Sequence, residues 1–149
     1  MSATPPAPRR LEPPVGAESG PFWDATREGR LLVQWCTGCE RAVFYPRTFC
    51  PHCGEGAGAL EWRPARGRGS VYAAAVETRP EAAGAAFSGG EPYCVALVDL
   101  DEGVRMMTNI VGCPPAEVHG GMEVEVTWEP LADGRQLPLF RPVRGSVER

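Results

Sequence analysis

Lysine is absent from this chain: all 15 basic residues are arginine, which excludes Schiff-base chemistry and the lysine of a Walker A phosphate loop. Histidine is scarce. Only His52 and His119 could serve as an imidazole base, and no Gly-x-Ser-x-Gly elbow supplies a serine nucleophile. No apolar run approaches the roughly 18 residues of a membrane span. The start, MSATPPAPRR, lacks the apolar stretch of a signal peptide, so a cytoplasmic location is expected. Positive net charge is missing too. At −4, with a sequence pI near 5.2, the chain is poorly suited to a sequence-independent grip on nucleic acid or on an anionic membrane. Long uninterrupted helices are excluded by 18 glycines and 16 prolines, so strands are expected to dominate.

What is present falls into four stretches. Residues 1–18 (MSATPPAPRRLEPPVGAE) are proline-rich with little to bury, the composition of an extended or flexible arm. Residues 19–66 begin with SGPFWDATREGR, which predicts a short helix with Ser19 as cap, Pro21 in the first turn, acidic Asp24 near the start and Gly29 as stop. Its Phe22 and Trp23 need a surface to cover. LLVQWC (31–36), AVFYP (42–46) and LEWRP (60–64) fit strands around two cysteine pairs.

Residues 67–144 open with GRGS and change to five β signals: SVYAAAVET, YCVALVDL, VRMMTNIVG, MEVEVTWE and LPLFRPV. In MEVEVTWE, Met122, Val124, Val126 and Trp128 alternate with Glu123, Glu125, Thr127 and Glu129, the pattern of a half-buried antiparallel strand. DEG (101–103) predicts a tight hairpin and GCPPAEVHGG (112–121) one helical turn, while 79–92 reads as a long loop of small residues. Five strands suffice for a small barrel. Residues 145–149 form a tail.

Cys36, Cys39, Cys50 and Cys53 form Cys-x2-Cys-x10-Cys-x2-Cys. Each knuckle can point two sulfurs into one site, and two knuckles complete a tetrahedron suited to zinc. A closed four-thiolate shell leaves no position for substrate, so the zinc is structural. A segment of about 30 residues cannot bury enough surface to fold alone, and metal binding supplies the missing energy. A thioredoxin-like dithiol would need a βαβ setting that the flanking strands do not provide. Between the knuckle cysteines, His52 reads as an exposed loop residue. Cys94 and Cys113 read as small buried hydrophobes, and His119 as a loop or helix-end histidine. Asp99, Asp101 and Glu102 read as a solvated turn. Arg63, Arg66 and Arg68, with Arg79 beyond, are the one basic concentration: a solvated strand edge, or a contact for phosphates or an acidic partner.

Taken in order, FWDATREGRLLVQWCTGCE (22–40), YPRTFCPHCG (45–54), LEWRPARGRGSVYA (60–73), PYCVALVDLDEGVRMMTNIVG (92–112) and GMEVEVTWE with LPLFRP (121–142) resemble the acyl-CoA-associated OB-fold proteins with a rubredoxin-like zinc ribbon. The resemblance implies a mostly β fold: a short helix, a four-cysteine zinc ribbon and a five-stranded OB barrel. It further implies an accessory subunit, non-catalytic alone but required, that forms a hetero-oligomer with a thiolase-like enzyme (thiolase, acyltransferase or aldolase), some of which act on steroid side-chain thioesters. Such a subunit helps bind or position an acyl-CoA at or near the interface for carbon–carbon bond formation or cleavage. On this reading no residue of the chain is catalytic, and Arg63, Arg66, Arg68 and Phe87, the last in the glycine-rich loop from Gly84 to Gly90, are candidates for acyl-CoA contact. Phe22 and Trp23, with the arm, are expected to dock on the partner as exposed aromatics. Two other readings compete. A nucleic-acid-binding module would need a basic groove with stacking aromatics, which the acidic charge argues against. A free-standing enzyme would have to use His119 or Cys94, which the sequence does not pair with any partner group.

Overall fold

The computed structural model describes residues 12–79 and 90–144. Most of the arm, the loop residues 80–89 with Phe87, and the tail 145–149 lie outside the described residues. The order of elements is a helix α1 (Gly20–Thr26), a three-stranded sheet and a barrel. The sheet is built from β1 (Leu32–Cys36), β2 (Arg41–Val43) and β3 (Leu60–Pro64). The barrel comprises β4 (Arg68–Glu77), β5 (Tyr93–Leu100), β6 (Arg105–Ile110), β7 (Glu123–Pro130) and β8 (Gln136–Pro142). The mostly β expectation and all five barrel strands are borne out. No helix among the described residues is long and apolar enough to cross a membrane.

Pro21 stands in the first turn of α1, where its missing N–H costs nothing. Two details differ from expectation. The Ser19 hydroxyl does not cap the helix; it accepts the Gly16 N–H at 2.9 Å and so closes the preceding turn. Asp24 lies beyond the first turn. Downstream, Gly29 adopts a φ of +68°, the left-handed conformation that lets the chain leave the helix and enter β1. The end of α1 is pinned to β8: buried Thr26 accepts the Gln136 N–H on its Oγ1, and its carbonyl accepts Gln136 Nε2 at 3.0 Å.

The expected exposure of Phe22 and Trp23 is corrected by their packing. Phe22 is only 5% exposed and belongs to the main core, and Trp23 packs partly buried against that same core. An amphipathic helix this short is held by its apolar face, so its largest side chains turn toward the core. The Arg135 guanidinium lies over the Trp23 ring, 5.0 Å from its centroid. Arg135 is itself buried, pairs with Asp133 at 2.6 Å and donates to the Pro13 carbonyl at 2.9 Å. The end of the arm is therefore tied to the β7–β8 hairpin.

In the first sheet β1 is central, paired antiparallel with β2 and with β3. The barrel runs β4-β5-β6-β8-β7 and closes from β7 back to β4 through Arg68↔Glu125, Gly69↔Val124 and Ser70↔Glu123. Its other seam is the parallel contact of β6 with β8 at Ile110↔Phe140, where the Val111 N–H donates to the Phe140 carbonyl at 2.8 Å. Alternation places Cys94, Ala96, Val98 and Leu100 of β5 inside, with Met106, Thr108 and Ile110 of β6 opposite. The GRGS stretch serves the barrel: a Cβ on Gly69 would collide with the Asp99 carbonyl, so only glycine lets β4 approach β5 this closely. DEG forms the hairpin turn, with the Gly103 N–H donating to Leu100, and Pro115–Glu117 form a single 3-10 turn.

Helix, ribbon and barrel share one core, in which Phe22, Leu31, Val33 and Ala42 pack with Val71, Val98, Val124 and Phe140. Phe140 is fully buried at the seam. Phe140→Ala is expected to cost about 3–5 kcal/mol, from lost burial plus the cavity left behind, as measured by urea denaturation of the metal-loaded chain.

Candidate functional site

The two Cys-x-x-Cys knuckles are built alike. In each, an N–H four residues on bonds back to the first cysteine's carbonyl: Glu40 to Cys36 at 2.8 Å and Gly54 to Cys50 at 2.9 Å. Both closing residues are left-handed, with φ of +56° at Glu40 and +83° at Gly54. Glycine adopts this conformation freely, whereas for Glu40 it is a strained choice that the turn imposes. The first knuckle continues β1; the second is held by the Cys50 N–H donating to Glu55 and by the bridge between Phe49 and Gly56.

This geometry brings all four sulfurs within 4.8 Å of one another. The Cys36–Cys53 and Cys39–Cys50 sulfurs are 3.6 and 3.7 Å apart. A tetrahedron with zinc–sulfur bonds of about 2.3 Å has edges of about 3.8 Å, so the donor set fits zinc in both chemistry and size. Cys36 and Cys50 are fully buried, Cys39 is half-buried and Cys53 exposed. Desolvation and hydrogen bonding with Cys50, Cys36 and Cys53 push the Cys39 thiol up to about 12. At Cys50 desolvation also pushes upward, but the backbone N–H groups of Cys53 and His52 and hydrogen bonds with Cys39 and Cys36 outweigh it and bring the thiol down to about 6. One thiolate stabilised at the cost of its neighbours is what four crowded thiols do with protons alone; a divalent cation allows all four to ionise. When bound, zinc cross-links the two knuckles and leaves no open position.

The remaining candidates behave structurally. His52 donates from Nε2 to the Ala42 carbonyl at 3.2 Å, tying the second knuckle to β2, and is not a fifth ligand. His119 is exposed and donates from Nδ1 to the Glu117 carbonyl at 3.1 Å. Cys94 is buried in the core and Cys113 half-buried, and desolvation raises both thiols, which disfavours the nucleophilic thiolate. Asp99 of the acidic turn pairs with Arg105 at 2.6 Å.

Two of the three clustered arginines are tied to separate carboxylates. Arg63 pairs with Glu61 at 2.6 Å and stacks over Trp35, 4.6 Å from the ring centroid, while Arg68 lies 3.5 Å from Glu125 on β7. Arg66 donates its backbone N–H to Glu102 at 3.1 Å. Phe87 is outside the described residues. One feature has no signal in the sequence: a cleft of about 530 Å3 where α1, the Phe44–Pro46 segment and strands β5, β6 and β8 meet. Its walls come from five separate stretches, so no local motif could mark it.

Comparison with known proteins places both modules. Residues 23–60 match the ChsH2 rubredoxin-like zinc ribbon domain, and residues 62–129 match the ChsH2 C-terminal OB-fold domain. The Thermomonospora curvata protein named "Probable enoyl-CoA hydratase alpha subunit" is 36% identical over 135 residues, 89% of this chain. This chain spans only 40% of that relative's length. A DUF35 domain-containing scaffold protein of Methanothermobacter thermautotrophicus is 33% identical over 98 residues, covering 66% of this chain and 71% of that protein. Among solved structures, an Ltp2-ChsH2(DUF35) aldolase aligns with 88% of this chain and 98% of the matched chain, at 34% identity and a TM-score of 0.75.

The metal-loaded chain is expected to contain one zinc. Cys36→Ser or Cys50→Ser should abolish it and melt the ribbon, whereas Cys113→Ser should leave the metal content at one, as read by atomic absorption and circular dichroism.

Proposed function

The chain belongs to the ChsH2-type DUF35 family of zinc-ribbon OB-fold proteins, and from that premise we propose that it is an accessory subunit of a thiolase-like enzyme. In that role it binds the enzyme as a hetero-oligomer and helps hold an acyl-CoA thioester for carbon–carbon bond formation or cleavage. The observation that carries this reading is the near-complete match, 98% of the counterpart's length, to a chain of an aldolase that pairs Ltp2 with ChsH2(DUF35).

The chain's own chemistry supports it. A closed thiolate shell offers no Lewis-acid position, and both histidines spend a ring nitrogen on a backbone carbonyl. The fold contributes rigidity: the metal, the shared core and the Thr26–Gln136 contacts lock helix, ribbon and barrel into one body that a partner can be oriented against. Contact of Arg63, Arg66, Arg68 and Phe87 with the CoA moiety is part of the proposal. A phosphate binding there would take the place of Glu61 at Arg63 and of Glu125 at Arg68.

Co-expression with a thiolase-like enzyme of the same genome tests the reading, by size-exclusion chromatography and by acyl-CoA turnover with and without the chain. A stoichiometric complex whose turnover depends on the chain is the expected result. A chain that elutes alone while the enzyme turns over unchanged would remove the reading.

A further inference from the structure

The cleft between α1, the Phe44–Pro46 segment and the β6–β8 seam belongs to neither the metal centre nor the arginine-bearing strands. Its chemistry is one-sided. Phe22, Trp23, Tyr45, Val95, Met107 and Leu137 give it aromatic and aliphatic walls, and among the described residues the one charged lining residue is Glu18. Among the described residues no arginine or histidine lines it. At about 530 Å3 it falls within the roughly 300–1,000 Å3 of small-ligand sites.

Met107 is 60% exposed and Tyr45 51%, so two large apolar side chains stand in water at the rim while Phe22 beneath them is buried. The rim is not loose. Tyr45 Oη accepts the Met107 N–H at 3.0 Å, which anchors the ribbon to β6 and leaves the hydroxyl's own proton to donate elsewhere. Beneath it, buried Thr108 donates from Oγ1 to the Pro138 carbonyl at 3.0 Å and spans the seam between β6 and β8. The floor is therefore closed by hydrogen bonds that a ligand need not disturb.

We propose that this cleft binds the apolar acyl body of a thioester, with the phosphate-bearing CoA portion left outside; the inference rests on the acyl-CoA reading above. Phosphates entering the cleft would meet Glu18 and apolar walls with no cation among the described lining residues to pair with, and would give up their hydration without compensation. An aliphatic or ring-bearing acyl group instead covers the exposed faces of Tyr45 and Met107. Charge thus sorts the two ends of the ligand.

Calorimetric titration of the zinc-loaded full chain with decanoyl-CoA and acetyl-CoA tests this, using wild type, Met107→Glu and Tyr45→Ala, two substitutions at exposed positions. The same variants are run with the thiolase-like partner on a sizing column. Decanoyl-CoA should bind wild type at least tenfold more tightly than acetyl-CoA. Each substitution should erase that preference while leaving acetyl-CoA affinity and zinc content unchanged. Equal affinities for the two thioesters, no binding of either by the chain alone or in complex, or a preference that survives in both variants would overturn the assignment. Variants that lose the partner yet keep the chain-length preference would make the cleft a protein-docking surface instead. If wild type forms no complex, the accessory-subunit reading fails, and the decanoyl-to-acetyl ratio still decides the cleft.

Discussion

Four sulfurs within 4.8 Å of one another constrain everything N-terminal to the barrel. Held by protons, they cannot all ionise. Held by a zinc ion, they join two turns separated by ten residues of sequence and give the ribbon a fixed shape. The need is visible in the packing around them. Next to the metal centre, the buried hydrophobic cluster is Cys36, Val43 and Cys50 with Cys39, Ala59 and Leu60 packed against it, too little to order the two knuckles.

The consequences reach the barrel. With the ribbon fixed, β1 delivers Val33, and the segments before and after it deliver Leu31 and Ala42, into the core shared with Val98, Val124 and Phe140. Just beyond β2, Tyr45 meets the Met107 N–H on β6. Helix α1 is locked from the other side by Gln136, and Arg135 holds Trp23, Asp133 and the Pro13 carbonyl at once. The result is a single shaped body, with concave apolar surface at the junction of its parts. Such rigidity is what the proposed role, positioning a partner and a thioester, would draw on.

Much of this was legible in the residues. The metal site could be read because its ligands lie within 18 residues and Cys-x-x-Cys is a local geometry. Strands β4 to β8 could be read because alternation, glycines and prolines are also local signals. Phe22 and Trp23 were misread because a short helix rich in aromatics looks the same in sequence whether it faces solvent, a partner or its own core. Arg135 carried no signal at all: its burial follows from where the β7–β8 hairpin meets the arm and Trp23.

By itself, the sequence determined the element types, the four thiol ligands, the acidic surface and the absence of lysine-based chemistry. These depend on residue identity and spacing over short distances. Only the tertiary structure decided that β6 and β8 meet in parallel at Ile110 and Phe140, that ribbon and barrel share one core, and that Arg63 and Arg68 sit beside Glu61 and Glu125. It alone formed the cleft, whose walls come from stretches more than 100 residues apart in the chain. Long-range packing brings such surfaces together, and no local pattern records which distant side chains will close around the same space.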